Sequence, residues 1–137
     1  FTTISQLSND ESEYIGSTIL IIDDNADNRL LLASQLGMHG YNILEAETPL
    51  RGLDIALKKQ PDLILLDVMM PKVSGFDVLD ILRNTPETAN LKVIMLTALS
   101  QEADKQRAQE LGVDDYLVKS QVVIADVVER VKSHLGL

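Results

Sequence analysis

The sequence of 137 residues contains no cysteine and no long apolar run. The absence of cysteine excludes disulfides, thiolate metal sites and cysteine nucleophiles. No apolar stretch approaches the roughly 20 residues of a transmembrane helix, and the N-terminus lacks the basic and apolar regions of a signal peptide. We therefore expect no membrane association and a cytoplasmic location.

Basic residues are also few. Lys and Arg number 12 against 21 Asp and Glu, which gives a formal charge of −9. Residues 1–17 are rich in Ser, Thr, Asn and acids, lack Lys and Arg, and are interpreted as a tail or linker before a domain at 18–137. An acidic chain offers no positive surface to a phosphate backbone, so we expect no nucleic-acid binding by this chain.

Apolar runs separated by helical patterns predict the fold class. Thr18–Asp23, Leu63–Asp67 and Lys92–Thr97 are typical of strands buried on both faces, whereas the more polar Tyr41–Ala46 and Asp115–Lys119 are typical of edge strands. Alternating strands and helices predict an α/β domain with a doubly wound, five-stranded parallel sheet and helices on both faces. The central and edge strands predict the order 2-1-3-4-5.

One helix is predicted to be weakly held. The segment Gln101–Leu111 offers only Ala103, Ala108 and Leu111 to a core, and Ser100 could cap its start. A helix that buries so little apolar surface should be the most loosely attached of the domain.

Polar residues follow the carboxyl ends of the predicted strands. In a doubly wound sheet these ends meet at the crevice where the winding reverses, which is where ligands bind. Five side chains are therefore expected to converge there: Asp23, Asp24, Asp67, Thr97 and Lys119.

Each of these residues also has a simpler interpretation when taken alone. Asp24 or Asn25 could cap the first helix, and Asp67 could be a solvated strand end. Thr97 is an ordinary β-branched strand residue, and Lys119 an ordinary charge on an edge strand. Their joint occurrence at one edge of one sheet favours a site.

Three neighbouring carboxylates repel one another, so either one is protonated or a cation neutralises them. One lysine cannot balance three acids. An all-oxygen ligand set suits a hard ion, and carboxylates with waters favour Mg²⁺.

Four motifs resemble the receiver domain of the two-component response-regulator family. They are "IIDDN" with Asp23 and Asp24, "LLDVMMPKVSG" with Asp67, Pro71 and Gly75, "VIMLTA" with Thr97, and "GVDDYLVK" with Tyr116 and Lys119. The resemblance runs from Thr18 almost to the C-terminus and implies a flavodoxin-like fold. It implies that Asp67 accepts a phosphoryl group from the phosphohistidine of a histidine kinase or phosphotransfer protein.

The resemblance also implies the roles of the other site residues. Asp23 and Asp24 would hold Mg²⁺ together with Asp67 and the backbone carbonyl of Met69. Lys119 would pair with the phosphoryl oxygens, and Thr97 would hydrogen-bond to one of them.

A switch is implied as well. Thr97 would move toward the phosphoryl group and Tyr116 would turn inward, which changes the surface formed by the fourth helix, fifth strand and fifth helix. That surface would serve a downstream target or an output domain that is not on this chain, or a homodimer.

The sequence departs from the family pattern at Ser120, where proline in a cis peptide is usual. A cis bond before serine costs about 3–4 kcal/mol, against about 0.5–1 kcal/mol before proline. The Lys119–Ser120 peptide is therefore expected to be either trans, with a rearranged loop, or strained.

Three alternative functions make different demands on the sequence. A haloacid dehalogenase-like phosphatase would need an acid at the position of Met69 and a cap insertion. A flavodoxin-like nucleotide or flavin module would need a phosphate-binding loop, but "DDNADN" is acidic. A receiver with vestigial phosphorylation would act only as an interaction surface, and Ser120 keeps this alternative open.

Overall fold

The computed structural model describes residues 16–136. The interpreted tail therefore lies almost wholly outside the described residues, and its boundary with the domain stays a prediction. Strands and helices alternate along the described chain, and their bounds are β1 (Thr18–Ile22), α1 (Ala26–Met38), β2 (Asn42–Ala46), α2 (Pro49–Lys59), β3 (Leu63–Leu66), α3 (Gly75–Asn84), β4 (Lys92–Thr97), α4 (Glu102–Glu110), β5 (Asp115–Val118) and α5 (Ile124–Leu135).

The five strands form one parallel sheet in the order β2-β1-β3-β4-β5, which confirms the predicted topology. All residues of β3 are buried, as are the last four of β1 and the last five of β4. The edge strand β2 buries only Ala46. The apolar runs thus identified the central strands because helices cover both of their faces.

Helices pack against both faces of the sheet and create two apolar layers. The buried residues of α1 and α5 form one layer with one face of the strands. Those of α2, α3 and α4 form the other layer with the opposite face. The doubly wound α/β class is therefore confirmed, and the winding reverses between β1 and β3.

Local signals explain where several helices begin. The side chains of Asn25, Thr48 and Ser74 each accept a backbone N–H in the first turn of the following helix, and Ser74 forms a capping box with Asp77. Such caps satisfy amide groups that the helix leaves without partners. No helix within residues 16–136 has the length and apolar character of a membrane span.

The start of α4 differs from the expectation. The helix is preceded by Gln101, which makes no side-chain capping bond, so the predicted cap at Ser100 is wrong. Ala103 is exposed, and only Ala108 of this helix is buried, while Leu111 packs partly against the core. The attachment of α4 is therefore even smaller than its sequence indicates.

Candidate functional site

The site is built on the loop after β3. Asp67 follows the last residue of that strand, its backbone N–H donates to the Ile22 carbonyl at 3.0 Å, and the residue is 7% exposed. Gly75 donates its N–H to the Val68 carbonyl at 2.9 Å and closes the loop. A Cβ on Gly75 would lie 2.7 Å from the Cα of Val68 and closer still to the carbonyl oxygen of Asp67. Only glycine fits there, so the start of α3 fixes the backbone of Asp67.

Asp23, Asp24 and Asp67 form one acidic cluster. Each offers a carboxylate oxygen, and these oxygens lie within 4.8 Å of one another. Asp23 and Asp67 are buried, whereas Asp24 is exposed. The predicted convergence of the three acids is confirmed, and their oxygens could hold a hard cation with water completing its coordination.

Lys119 reaches this cluster from the end of β5. Its Nζ lies 3.4 Å from Asp23 Oδ2 and 3.4 Å from Asp67 Oδ2. One ammonium is therefore shared between two buried carboxylates, so negative charge remains in excess, as the sequence indicated. A proton or a further cation must balance it.

The departure at Ser120 leaves Lys119 in place. No cis peptide bond occurs within residues 16–136, so the bond between Lys119 and Ser120 is trans. The residues Lys119–Gln121 form a short 3₁₀ helix. Of the two expected outcomes, the trans loop with a local rearrangement is the observed one.

The electrostatics of Asp67 reflect its burial. Desolvation raises the pKa of the carboxyl group above its ordinary value, the Lys119 charge opposes this, and the Asp23 charge adds to it. A hydrogen bond from the Met69 N–H to Asp67 Oδ1, at 3.2 Å, favours the ionised form. The pKa is raised on balance because burial and the Asp23 charge outweigh the Lys119 ammonium and the Met69 N–H.

Thr97 and Tyr116 meet at Leu99. Thr97 ends β4, is fully buried, and its Oγ1 accepts the Leu99 N–H at 3.3 Å. The Tyr116 hydroxyl donates to the Leu99 carbonyl at 3.0 Å. Tyr116 is 8% exposed, so its ring already lies inward in this structure. Burial, together with the charges of Asp104 and Asp67, raises the pKa of its phenol.

Two expected roles, those of the Met69 carbonyl and the Thr97 hydroxyl, stay predictions. Met69 contacts the site through its N–H, while its side chain is 56% exposed; the metal-ligand role of its carbonyl stays a prediction. The hydrogen bond that Thr97 would give to a phosphoryl oxygen is likewise a prediction. The Thr97 hydroxyl oxygen accepts the Leu99 N–H, so the hydroxyl proton remains available for donation.

Sequence reasoning missed Arg29. Its Nη1 donates to the backbone carbonyl of Asp23 at 2.7 Å, and its Nε lies 3.4 Å from Glu45 Oε1. A signal was present, because Arg29 is a cation near the N-terminus of a helix, where the dipole disfavours positive charge. A cation at such a position indicates a compensating interaction elsewhere, here the bond to the Asp23 carbonyl.

Comparison with known proteins decides the family. A sequence profile described as "Response regulator receiver domain" matches residues 19–132, which is most of the chain. The chain belongs to the response-regulator receiver family. This confirms the resemblance drawn from the four motifs. The fold of this receiver domain is therefore the flavodoxin-like one.

Relatives of this receiver domain differ in length. This chain is 46% identical over 101 residues to the DNA-binding dual master transcriptional regulator RpaA of Synechocystis sp., and the match covers 74% of this chain and 42% of that protein. It is 32% identical over 119 residues to the polar-differentiation response regulator DivK of Brucella ovis, covering 87% of this chain and 96% of that protein. The chain thus spans less than half of RpaA and nearly all of DivK.

Solved structures agree with the fold. The CheY-like response regulator receiver domain protein from Methanospirillum hungatei superposes with a TM-score of 0.82 at 26% identity, over 88% of this chain and 94% of that one. The receiver assignment therefore has independent support from sequence and from backbone geometry.

Proposed function

We propose that this receiver domain is a phosphoacceptor switch in which Asp67 takes a phosphoryl group from a phosphohistidine. The observation that carries the proposal is the placement of Asp67: its buried carboxylate lies within 4.8 Å of two other acids and 3.4 Å from the Lys119 ammonium. Such a group is poised for a reaction that brings in phosphoryl oxygens and a cation together.

The transfer needs little from the protein beyond position and charge. A carboxylate oxygen of Asp67 forms the new bond to phosphorus while the phosphorus–nitrogen bond to the donor imidazole breaks. The electron pair of that bond leaves with the imidazole, which then holds a proton taken from water. Lys119, now 3.4 Å from the acceptor carboxylate, neutralises one of the phosphoryl oxygens.

The acidic cluster fits Mg²⁺. Asp23, Asp24, Asp67 and the Met69 carbonyl would hold the ion, which supplies positive charge to the phosphoryl oxygens. The donor set supports this, since it is all oxygen and carries more negative charge than Lys119 balances.

The proposed output is a change in the surface formed by α4, β5 and α5, the α4-β5-α5 surface. The hydroxyl of Thr97 can donate to a phosphoryl oxygen. Leu99 links Thr97 to Tyr116, because its N–H donates to Thr97 Oγ1 and its carbonyl accepts the Tyr116 hydroxyl. Phosphorylation would thus stabilise one arrangement of this surface over another that already exists.

The partners follow from the chemistry. The donor is a histidine kinase or phosphotransfer protein, and the reader of the switch is a downstream protein, an output domain or a second copy bound through the α4-β5-α5 surface. We infer a cytoplasmic setting, where such donors present their phosphohistidine.

The experiment that tests the acceptor is phosphate uptake followed by intact-protein mass. The wild-type chain is incubated with acetyl phosphate and Mg²⁺, and with a panel of phosphorylated histidine kinases. We expect one added phosphate in the wild type and none in Asp67→Asn, because the amide is a poor nucleophile.

A matched control is Asp54→Asn, which changes a partly exposed aspartate paired with Lys58 on α2. It should take up phosphate like the wild type. Uptake that persists in Asp67→Asn would overturn the assignment of the acceptor.

A further inference from the structure

Arg29 holds the backbone of a proposed metal ligand, although it does not touch the carboxylates themselves. Its guanidinium donates to the Asp23 carbonyl at 2.7 Å, and its side chain is only 14% exposed. The bond joins Arg29, the fourth residue of α1, to Asp23, which directly follows β1. It therefore closes the loop that carries both Asp23 and Asp24.

The remaining polar groups of Asp23 are each engaged by a different element. Its N–H donates to the Ala46 carbonyl of β2 at 3.1 Å, and its Oδ1 accepts the Asn25 N–H at 2.9 Å. Its Oδ2 faces Lys119 at 3.4 Å. Arg29 supplies the partner for the fourth group, the backbone carbonyl, so the orientation of Asp23 is determined from all sides.

Arginine is suited to this place by its shape. The planar guanidinium reaches two acceptors at once, with Nη1 on Asp23 and Nε toward Glu45 of β2. A lysine could satisfy one of them only. The contact with Glu45 is loose, at 3.4 Å and with a Glu45 side chain that is 46% exposed, so the bond to the Asp23 carbonyl is the one expected to matter.

We propose that Arg29 is a positioning residue for the cation site: by fixing the Asp23 backbone it orients the acids that bind Mg²⁺. The inference rests on the proposed function of that site. Residues that hydrogen-bond to metal ligands strongly influence the affinity for the metal, because they hold each ligand in its binding orientation.

The test is the Mg²⁺ dissociation constant of the unphosphorylated chain, measured by isothermal titration calorimetry for the wild type and for Arg29→Met. We expect binding weakened by about tenfold or more in the variant. Arg29→Lys, which can still reach one acceptor, should lie between the two. Glu45→Gln should stay close to the wild type, since it leaves the carbonyl bond intact.

The control for lost positive charge is Lys58→Met, at the other end of the sheet in an exposed pair with Asp54. It should bind Mg²⁺ like the wild type. Thermal unfolding without Mg²⁺ measures the stability that each variant loses. If the role of Arg29 were purely structural, Arg29→Met would lower this stability and leave the Mg²⁺ affinity unchanged.

The rate of phosphorylation by acetyl phosphate gives a second readout. If Arg29 acts through the cation site, Arg29→Met needs more Mg²⁺ to reach half of its maximal rate, while the maximal rate itself changes little. An unchanged Mg²⁺ affinity would overturn the inference, and so would tighter binding, which would mean that Arg29 mainly repels the ion. If the wild type itself binds no Mg²⁺, the proposed function has failed instead.

Discussion

The two carboxylate oxygens of Asp67 meet different surroundings: Oδ1 accepts the Met69 N–H at 3.2 Å, and Oδ2 faces the Lys119 ammonium at 3.4 Å. These two contacts lower the pKa of the carboxyl group by less than burial raises it, so the pKa lies above its ordinary value of 3.8. The folded chain consequently holds this proton more tightly than the unfolded chain does. Ionising Asp67 lowers stability, and the loss develops as pH rises from about 3.8 through the raised pKa.

At the scale of this residue we predict that Asp67→Asn unfolds at higher urea concentration than the wild type at neutral pH without divalent cations. The amide has about the same size and carries no charge to desolvate. The gain should shrink as the pH is lowered toward 3.8, where the wild-type carboxyl regains its proton.

Urea unfolding at a series of pH values in a chelating buffer measures this. The control Asp54→Asn, at a partly exposed aspartate outside the acidic cluster, should show no such gain. An Asp67→Asn chain that is less stable than the wild type at neutral pH would contradict the prediction.

Single residues also show what a sequence can reveal. Asp23, Asp24 and Asp67 could be predicted because an acid directly after a buried apolar strand is conspicuous, and parallel strands bring such ends together. Arg29 could not be placed, because its acceptor is a backbone carbonyl, a group that every residue carries. The trans geometry after Lys119 likewise depends on the surrounding loop, so the sequence left both alternatives open.

At the scale of elements, α4 differs most from its neighbours. It has one buried residue, Ala108, and no side-chain cap, whereas α3 has five buried residues and a capping box. A further contact is the guanidinium of Arg107 over the ring of Phe76, 4.4 Å from its centroid. The sequence predicted the weakness of α4 from its scarce apolar residues, but the cap at Ser100 was wrong because the helix begins later.

We predict that amide hydrogens of α4 exchange faster than those of α3 in the native state. Arg107→Gln should lower the free energy of opening of α4 by about 0.5–1 kcal/mol, since it removes the cation–π contact between an exposed guanidinium and the buried Phe76 ring. Hydrogen exchange followed by mass spectrometry or NMR measures both effects.

Lys105→Gln is the matched control, as it removes a cation from the exposed side of the same helix. It should leave the exchange of α4 amides unchanged. Equal protection of α4 and α3 in the wild type would contradict the expected looseness.

At the scale of the whole molecule, negative charge is in excess, at −9 over the chain, and part of it is concentrated where the winding of the sheet reverses. The topology could be predicted because two apolar layers bury the three central strands almost completely. The parallel strands then place all the site residues at one edge.

We predict that Mg²⁺ raises the unfolding temperature of the whole domain. A ligand that binds only the folded chain stabilises it by about 2.7 kcal/mol when its concentration is 100 times the dissociation constant. Differential scanning calorimetry at increasing MgCl₂ measures the shift, with equal ionic strength from NaCl as the control.

The double variant Asp23→Asn and Asp24→Asn should lose most of the magnesium response. An unfolding temperature that rises equally with both salts would show a general effect of ionic strength in place of a specific site.

The fit of Gly75 against the loop after β3 has a directional consequence. A methyl group has no room between the start of α3 and the Asp67–Val68 backbone, so the loop cannot yield on that side. We therefore expect an enlarged Asp67 side chain to be accommodated on the side of α4, the helix that buries only Ala108. The unequal packing around Asp67 thus predicts a direction for that movement, away from α3 and toward α4.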